Sequence, residues 1–236
     1  RTYNCFRDSL CAFESQLSSV LLSKEMKYLV VGPAAMGYFS FLGFLKSNEE
    51  KLKDIKEYSG SSAGAMLCLF LALNIPIDEI IEFSFNINLK EYTEYDIFNL
   101  INNYGLIKHE KIKTIIKKFL KKDYTFNEID KKIYISSFCL NTSKTIYFSK
   151  DTHPDMSVID AVCASISIPY IFETFKIKNE YFVDGGTVET VPYYPFLNKK
   201  PDKVHVLKIK KNTQITSNIN NIVEYTKVLL YSTLNN

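Results

Sequence analysis

Apolar positions along the chain alternate between runs that suit strands and spacings that suit helices. Residues 26 to 32, MKYLVVG, form an apolar run ending in glycine, and the following PAAMGYFSFLGFLKS has helical spacing with small residues at its start. Together they predict strand, tight turn and helix. A second such unit begins with a weaker strand at Ile55–Ser59 and continues into YSGSSAGAMLCLFLAL, whose helix is expected from Ala63 to about Asn74, stopping before Pro76. Two strand-turn-helix units in succession predict a parallel sheet with helices on its faces, where a helix near the centre can be apolar all round. From Asp78 to Lys122 the pattern reads as wholly helical, with Gly105 as a stop between two segments. KKIYISSFCLNTSKTIYFSK predicts two strands joined at Asn141–Ser143. Ser157 with Asp160 forms a variant capping signal for a short helix, VIDAVCASIS, ending before Pro169. Strands flank the turn at Asn179 and lead to YFVDGG; KVHVLKI is a late strand, and the tail from about Ile219 is expected to be helical.

Composition narrows the class. The 236 residues are 46% hydrophobic and 23% charged, with 8 Gly and 7 Pro, which excludes a disordered or low-complexity chain. A single domain is expected over residues 1–236, its catalytic core at about 27–200 and a C-terminal strand and helix at 201–236. A net charge of +3 from 29 basic and 26 acidic residues is too small to point to nucleic acid. Cys5, Cys11, Cys68, Cys139 and Cys163 are odd in number and lack C-x-x-C spacing, which suits reduced thiols better than disulfides or zinc. The longest apolar run, Ala63–Leu73, falls short of the roughly 20 residues that cross a bilayer. No basic-then-apolar signal opens the sequence, although its first residue is Arg and not Met. The expectation is a cytoplasmic protein without metal or other cofactor.

The chemistry is concentrated at two glycine-bearing turns. Gly60-Ser61-Ser62-Ala63-Gly64 matches G-x-S-x-G, the nucleophile elbow, and lies between an expected strand and an expected helix. A serine on so sharp a turn presents its hydroxyl above the sheet only if the flanking positions lack colliding side chains. The helix starting at Ala63 aims its positive end and unpaired N–H groups at the reacting centre, where negative charge develops. Asp184-Gly185-Gly186 follows the apolar YFV, placing a carboxylate at a strand end beside residues that let backbone pass close by. Each motif alone also fits an ordinary turn; their occurrence together, in this order, is what points to a site.

These segments resemble the patatin-like acyl hydrolases. The resemblance runs from about Lys27 to Pro195 through YLVVGPAAMG, GSSAGA, YTFNEIDKKIYISSFCLNTSKTIYFS, AVCASISIPYIF and YFVDGGTVETVP. It implies a three-layer α/β/α fold with a mainly parallel central sheet. It also implies hydrolysis of carboxylic ester bonds in lipids, of phospholipase A or lipase type, by a Ser-Asp dyad with Ser62 as nucleophile and Asp184 as general base. The sequence departs from the family at the oxyanion loop, where three glycines, a variable residue, a basic residue and a glycine are usual. Here the stretch is Gly32-Pro33-Ala34-Ala35-Met36-Gly37. Pro33 has no N–H and Met36 replaces the cation, so the hole is assigned to backbone around Gly32, Ala34, Ala35, Gly37 and Ala63. A catalytically weak or inactive lipid-binding or interaction module on the same fold is therefore the second reading.

Two further features bear on mechanism and partners. The order Ser62, Asp184, His205 also fits an α/β-hydrolase triad, although His205 sits mid-strand in KVHVLKI, where a packed imidazole is the commoner outcome. His109 and His153 have no partner at metal-ligand spacing. KHEKIKTIIKKFLKK, Lys108–Lys122, carries seven lysines against one glutamate, with Ile112, Ile115, Ile116, Phe119 and Leu120 at helical spacing. This is either a solvated helix face or an interfacial patch that holds the protein on anionic lipid through Lys108, Lys111, Lys117, Lys118, Lys121 and Lys122.

Overall fold

The computed structural model describes residues 26–34, 37–87 and 96–209, together with Tyr225 and Val228. The first strand, β1 (Tyr28–Val31), buries three of its four residues and leads to helix α1 (Tyr38–Ser47). β2 (Glu57–Ser61) follows and passes into α2 (Ala63–Ala72) with a single residue, Ser62, between them. α2 is buried on nearly every side, as an unbroken run of Ala, Leu, Cys and Phe requires. Next come α3 (Ile77–Asn86), α4 (Ile97–Asn103), β3 (Gly105–Ile107) and α5 (His109–Leu120). The hairpin strands β4 (Lys132–Cys139) and β5 (Lys144–Ser149) precede α6 (Val158–Ser165). The short strands β6 (Tyr170–Phe172), β7 (Phe175–Ile177), β8 (Glu180–Asp184) and β9 (Val204–Leu207) complete the order.

The main sheet has seven strands in the order β7-β8-β4-β2-β1-β9, with β5 paired to β4 beside this path. β9, β1, β2 and β4 are mutually parallel, while β8 and β5 run antiparallel to β4 and β7 antiparallel to β8. Five of the seven strands thus share one direction, and the sheet is mostly parallel with helical segments on both sides. α1, α2 and α6 pack on the side faced by Tyr58. On the other, the 3₁₀ turn Tyr194–Phe196 sets Phe196 between Tyr28 and Tyr134, at ring distances of 5.3 and 5.7 Å.

Most expected elements form where the hydrophobic pattern places them, but the middle is not wholly helical. Gly105 opens β3, which pairs with β6 through Gly105↔Tyr170 and Ile107↔Phe172. The backbone of Phe172 lies where a Cβ on residue 105 would stand, so this glycine serves close strand approach as well as ending α4. The expected tail helix lies outside the described residues apart from Tyr225 and Val228, as do Cys5 and Cys11. Cys68, Cys139 and Cys163 are buried free thiols, and burial raises Cys68 well above its ordinary value and Cys163 to about 12. Among the described residues no helix is long and apolar enough to cross a membrane.

α2 lies hard against the end of β1. A Cβ on Gly64 would stand 2.6 Å from the Gly32 carbonyl oxygen, and both groups are backbone with little room to yield. Gly64→Ala is expected to lower stability by about 1–3 kcal/mol, read as a reduced urea midpoint with an unchanged slope. An unchanged midpoint would mean that α2 can retreat from the sheet.

Candidate active site

Ser62 occupies a backbone conformation that few side chains adopt, with φ 56° and ψ −128°. Such a residue costs on the order of 1–3 kcal/mol and persists only where its surroundings over-determine it. Here they do. Gly60 and Gly64 flank it, and a Cβ on Gly60 would stand 2.6 Å from the Gly64 carbonyl oxygen. The Ser62 N–H donates to Ser165 Oγ at 2.8 Å, and that hydroxyl donates to the Ser136 carbonyl at 2.6 Å. The Ser62 carbonyl accepts from the Ala65 amide at 2.9 Å, closing the first turn of α2. The result is a hydroxyl at the carboxyl end of a central parallel strand, where ligands of open α/β sheets bind. Ser62 retains 7% of its surface.

Asp184 arrives along the same edge of β4 as Ser62. β5 covers one edge of β4 from Tyr134 to Cys139, so β2 and β8 share the other, with Ser61 opposite Ser136 and Asp184 opposite Ser137. The two strands run toward each other along that edge, parallel and antiparallel to β4, and their ends meet where Ser62 and Asp184 stand. The Asp184 carboxylate accepts the Gly186 N–H at 2.7 Å, and the Ser62 side chain stands near enough to lower its pKa. The Asp184 N–H donates to the Ser167 carbonyl at 2.9 Å, and Thr187 Oγ1 donates to its carbonyl at 2.6 Å. Asp184 is only 3% exposed, and burial pushes its carboxyl up to about 7 against the opposing influence of Ser62 and Gly186. A buried carboxylate with a hydroxyl beside it, poised near neutrality, is suited to proton abstraction. Gly185 is needed at the turn because a Cβ there would meet the Ser136 carbonyl oxygen at 2.7 Å.

The loop after β1 meets the same mouth. The Pro33 ring lies against Gly186, its Cβ 2.7 Å from where a Gly186 Cβ would stand. The amides expected to line an oxyanion hole divide into two groups. The Gly32 N–H donates to the Leu207 carbonyl at 2.9 Å, extending the β1–β9 ladder, and the Gly37 N–H donates to the Ala34 carbonyl at 2.7 Å. Both are committed elsewhere and do not point at an acyl oxygen in this conformation. Ala63 is the first residue of α2, where an amide has no intrahelical acceptor, and no acidic side chain lies in that first turn. Ala34 lies between Pro33 and the undescribed pair; Ala35 and Met36 are outside the described residues.

The structure separates His205 from the site and so removes the Ser62-Asp184-His205 triad. Leu29 pairs with both Tyr58 and His205, so His205 lies two strands from β2 and level with a residue four before Ser62. That is about 13 Å back along the strand direction. Its ring stacks on Phe44 at 5.5 Å, and burial lowers its pKa, as in a packed imidazole. His153 contacts Thr152 and Phe148 beyond β5. Among the described residues no three His, Cys, Asp or Glu side chains gather as a metal site.

Sequence reasoning missed the serines that support Ser62 and Asp184. Ser136, Ser137 and Ser165 are fully buried, and Ser137 Oγ lies 2.9 and 2.8 Å from the Ala164 and Val183 carbonyls. The signal was present as serines inside otherwise apolar segments, ISSF and ASIS, where a buried hydroxyl must find a partner.

The family model described as patatin-like phospholipase matches residues 29–197. An uncharacterized protein, R571, of Acanthamoeba polyphaga mimivirus is 28% identical over 191 residues, covering 76% of this chain and 64% of its own length. A probable lipid hydrolase, 463L, of Invertebrate iridescent virus 6 is 27% identical over 199 residues, covering 78% and 68%. A cGAMP-activated phospholipase of Escherichia coli (strain TW11681) is 26% identical over 148 residues, covering 58% and 41%. Among solved structures, VipD from Legionella pneumophila superposes with a TM-score of 0.62 at 15% identity, over 87% of this chain and 52% of VipD, a likeness of fold. The chain thus spans just under two thirds of the mimivirus relative and about half of VipD. With more than half of its length matched by the family model, and that match containing both Ser62 and Asp184, the chain belongs to the patatin-like phospholipase family.

Proposed function

We propose that the protein is a lipid acyl hydrolase, of phospholipase A or lipase type, that cleaves carboxylic ester bonds with Ser62 as nucleophile and Asp184 as general base. The observation that carries this reading is a strained elbow serine set beside a buried carboxylate raised to about 7. Asp184 takes the Ser62 proton as Oγ attacks the acyl carbonyl; the tetrahedral oxyanion then collapses, and the protonated acid returns its proton to the departing alcohol. Water, deprotonated by the same carboxylate, attacks the acyl-serine, and collapse releases the fatty acid and restores the hydroxyl. The oxyanion falls to the Ala63 amide at the positive end of α2, with the amides of Ala34 and Ala35 as further candidates.

A second reading, a weak or inactive lipid-binding module, is favoured by one specific feature. Pro33 lacks an N–H, and the amides of Gly32 and Gly37 are engaged within the protein. Loss of one oxyanion donor costs about 2.7–4 kcal/mol in the transition state, a slowing that leaves activity measurable. The two readings separate in one experiment with a soluble short-chain ester and a fluorophosphonate probe. The enzyme reading expects hydrolysis and labelling by wild type, no labelling of Ser62→Ala, and a fall of about 10²–10⁴ in kcat for Asp184→Asn. His205→Ala should stay within about threefold of wild type, because its ring lies remote from Ser62. Absence of hydrolysis and of labelling in the folded wild type would leave the module reading.

The pH profile follows from the role of Asp184. Only the carboxylate accepts a proton, so log kcat/KM should rise with unit slope below about 7 and level off above it. A flat profile through that range would deny Asp184 the role of base.

Membrane association is proposed through the exposed face of α5 and the residues after it. Part of the lysine charge is balanced locally: Lys108 lies 3.1 Å from Asp96, Lys122 2.6 Å from Glu128, and Lys117 4.0 Å from Asp123. Lys118 and Lys121 are exposed at the end of the helix. Binding to vesicles rich in anionic lipid is expected to weaken as salt rises and to fall several-fold in Lys118→Glu/Lys121→Glu, each lysine near the surface contributing about 1 kcal/mol. Salt-independent binding would point instead to apolar insertion.

A further inference from the structure

The turn from Ser165 to Ser167 touches both members of the proposed dyad. Ser165 Oγ accepts the Ser62 amide at 2.8 Å, and two residues later the Ser167 carbonyl accepts the Asp184 amide at 2.9 Å. Whatever fixes this turn fixes how far the carboxylate stands from the hydroxyl.

The Ser167 side chain is fully buried, with Oγ 2.8 Å from the Cys163 carbonyl and 3.0 Å from Nε2 of His109, a residue 58 positions away in the chain. A hydroxyl has one proton, and a carbonyl can only accept it. The proton therefore goes to Cys163, and Ser167 Oγ receives the Nε2–H of His109. On the other side of the ring, Nδ1 lies 3.4 Å from Glu173 Oε1, and the same carboxylate oxygen accepts the His109 backbone N–H at 2.7 Å. Burial alone would raise the Glu173 carboxyl, but its hydrogen bonds to the His109 side chain and backbone hold it below the ordinary range. The imidazole is packed beside Phe172 and Phe175, at ring distances of 6.2 and 5.3 Å. Serine, histidine and glutamate in this order resemble a nucleophilic triad, yet Ser167 has no exposed surface through which to meet a substrate. An apolar ring would fill the same space without the desolvation cost of a polar pair, so the donor itself needs a purpose.

We propose that His109, oriented by Glu173, is a positioning residue that holds Ser167 and thereby sets the reach between Ser62 and Asp184. This rests on reading those two residues as a dyad. It also gives the lysine-rich helix a connection to the site, since His109 is the first residue of α5.

Three variants test it: His109→Phe keeps the ring shape without the donor, His109→Gln can place an amide N–H where Nε2 stood, and Ser167→Ala deletes the hydroxyl but not the carbonyl. Each is checked for cooperative melting, then for kcat and KM on a soluble short-chain ester and for amide hydrogen exchange at Asp184 and Ser62. His109→Phe and Ser167→Ala are expected to lower kcat about 10- to 100-fold with KM nearly unchanged, and to speed exchange at Asp184. His109→Gln should recover most of both. A wild type without esterase activity would defeat the dyad reading alone, because the exchange rates still report whether His109 holds the turn. Wild-type kcat and exchange in folded His109→Phe would overturn the proposal, as would equal damage from Phe and Gln. Should His109→Phe fail to fold, unchanged kcat and exchange in Ser167→Ala overturns it and loss in both supports it.

Discussion

The positive φ at Ser62 organises the structure around it. An L-residue held there would relax if its neighbours allowed it, so each neighbour is chosen to forbid relaxation. Gly60 and Gly64 let β2 and α2 approach to distances no Cβ would tolerate. The Ser62 amide, which the turn strips of a sheet partner, is caught by Ser165 from α6. The apolar sides of α2 then fix the turn from behind, because Leu67, Cys68, Leu69 and Phe70 are all fully buried and their burial would be lost if the helix shifted. Local strain of on the order of 1–3 kcal/mol is small beside that packing.

The second constraint is register. β4 contributes neither Ser62 nor Asp184, yet it sets where they meet, since Ser136 pairs with the end of β2 and Ser137 with the end of β8 on one edge. A slip of one residue in either pairing would turn the corresponding side chain to the other face of the sheet. The buried hydroxyls of Ser136, Ser137 and Ser165 tie β4, α6, β2 and β8 together, each with an acceptor close by. Ser61, one position before Ser62, differs: its Oγ is buried without a hydrogen-bond partner among the described residues. Such a group costs about 1–3 kcal/mol, so the position is another place where local stability has been given up beside Ser62.

Much of this was legible before any coordinates. The hydrophobic pattern placed β1, β2, α2, the β4–β5 hairpin and α6 because each has a clear period and a glycine, proline or capping residue at its end. Glycine spacing located Ser62 and Asp184 for the same steric reasons that the backbone contacts express. The pattern failed where two meanings share one signal. Gly105 ends a helix but also admits the Phe172 backbone, and a three-residue strand is too short to show a period of two. His109 lies within a lysine-rich segment read as either a solvated helix face or a lipid-binding patch, and nothing local marks it as buried, since its partners come from residues 167 and 173. Long-range hydrogen bonds between polar side chains leave no periodicity, which is why the supporting serines and His109 escaped while the glycine-flanked Ser62 and Asp184 stood out.

The altered loop after β1 is intelligible in the same terms. In Gly32-Pro33-Ala34, the proline gives up a donor but supplies a rigid ring that packs on Gly186, directly beside the turn bearing Asp184. On the proposed mechanism, oxyanion stabilisation and carboxylate burial would draw on the same few ångströms of backbone, and the second is the better served: Asp184 is sealed and its carboxyl raised to about 7. A more basic carboxylate strengthens proton abstraction while fewer amides weaken the hold on an oxyanion. The positive end of α2, with no acidic side chain in its first turn to offset it, would then be the main field at the position where the proposed reaction develops that charge.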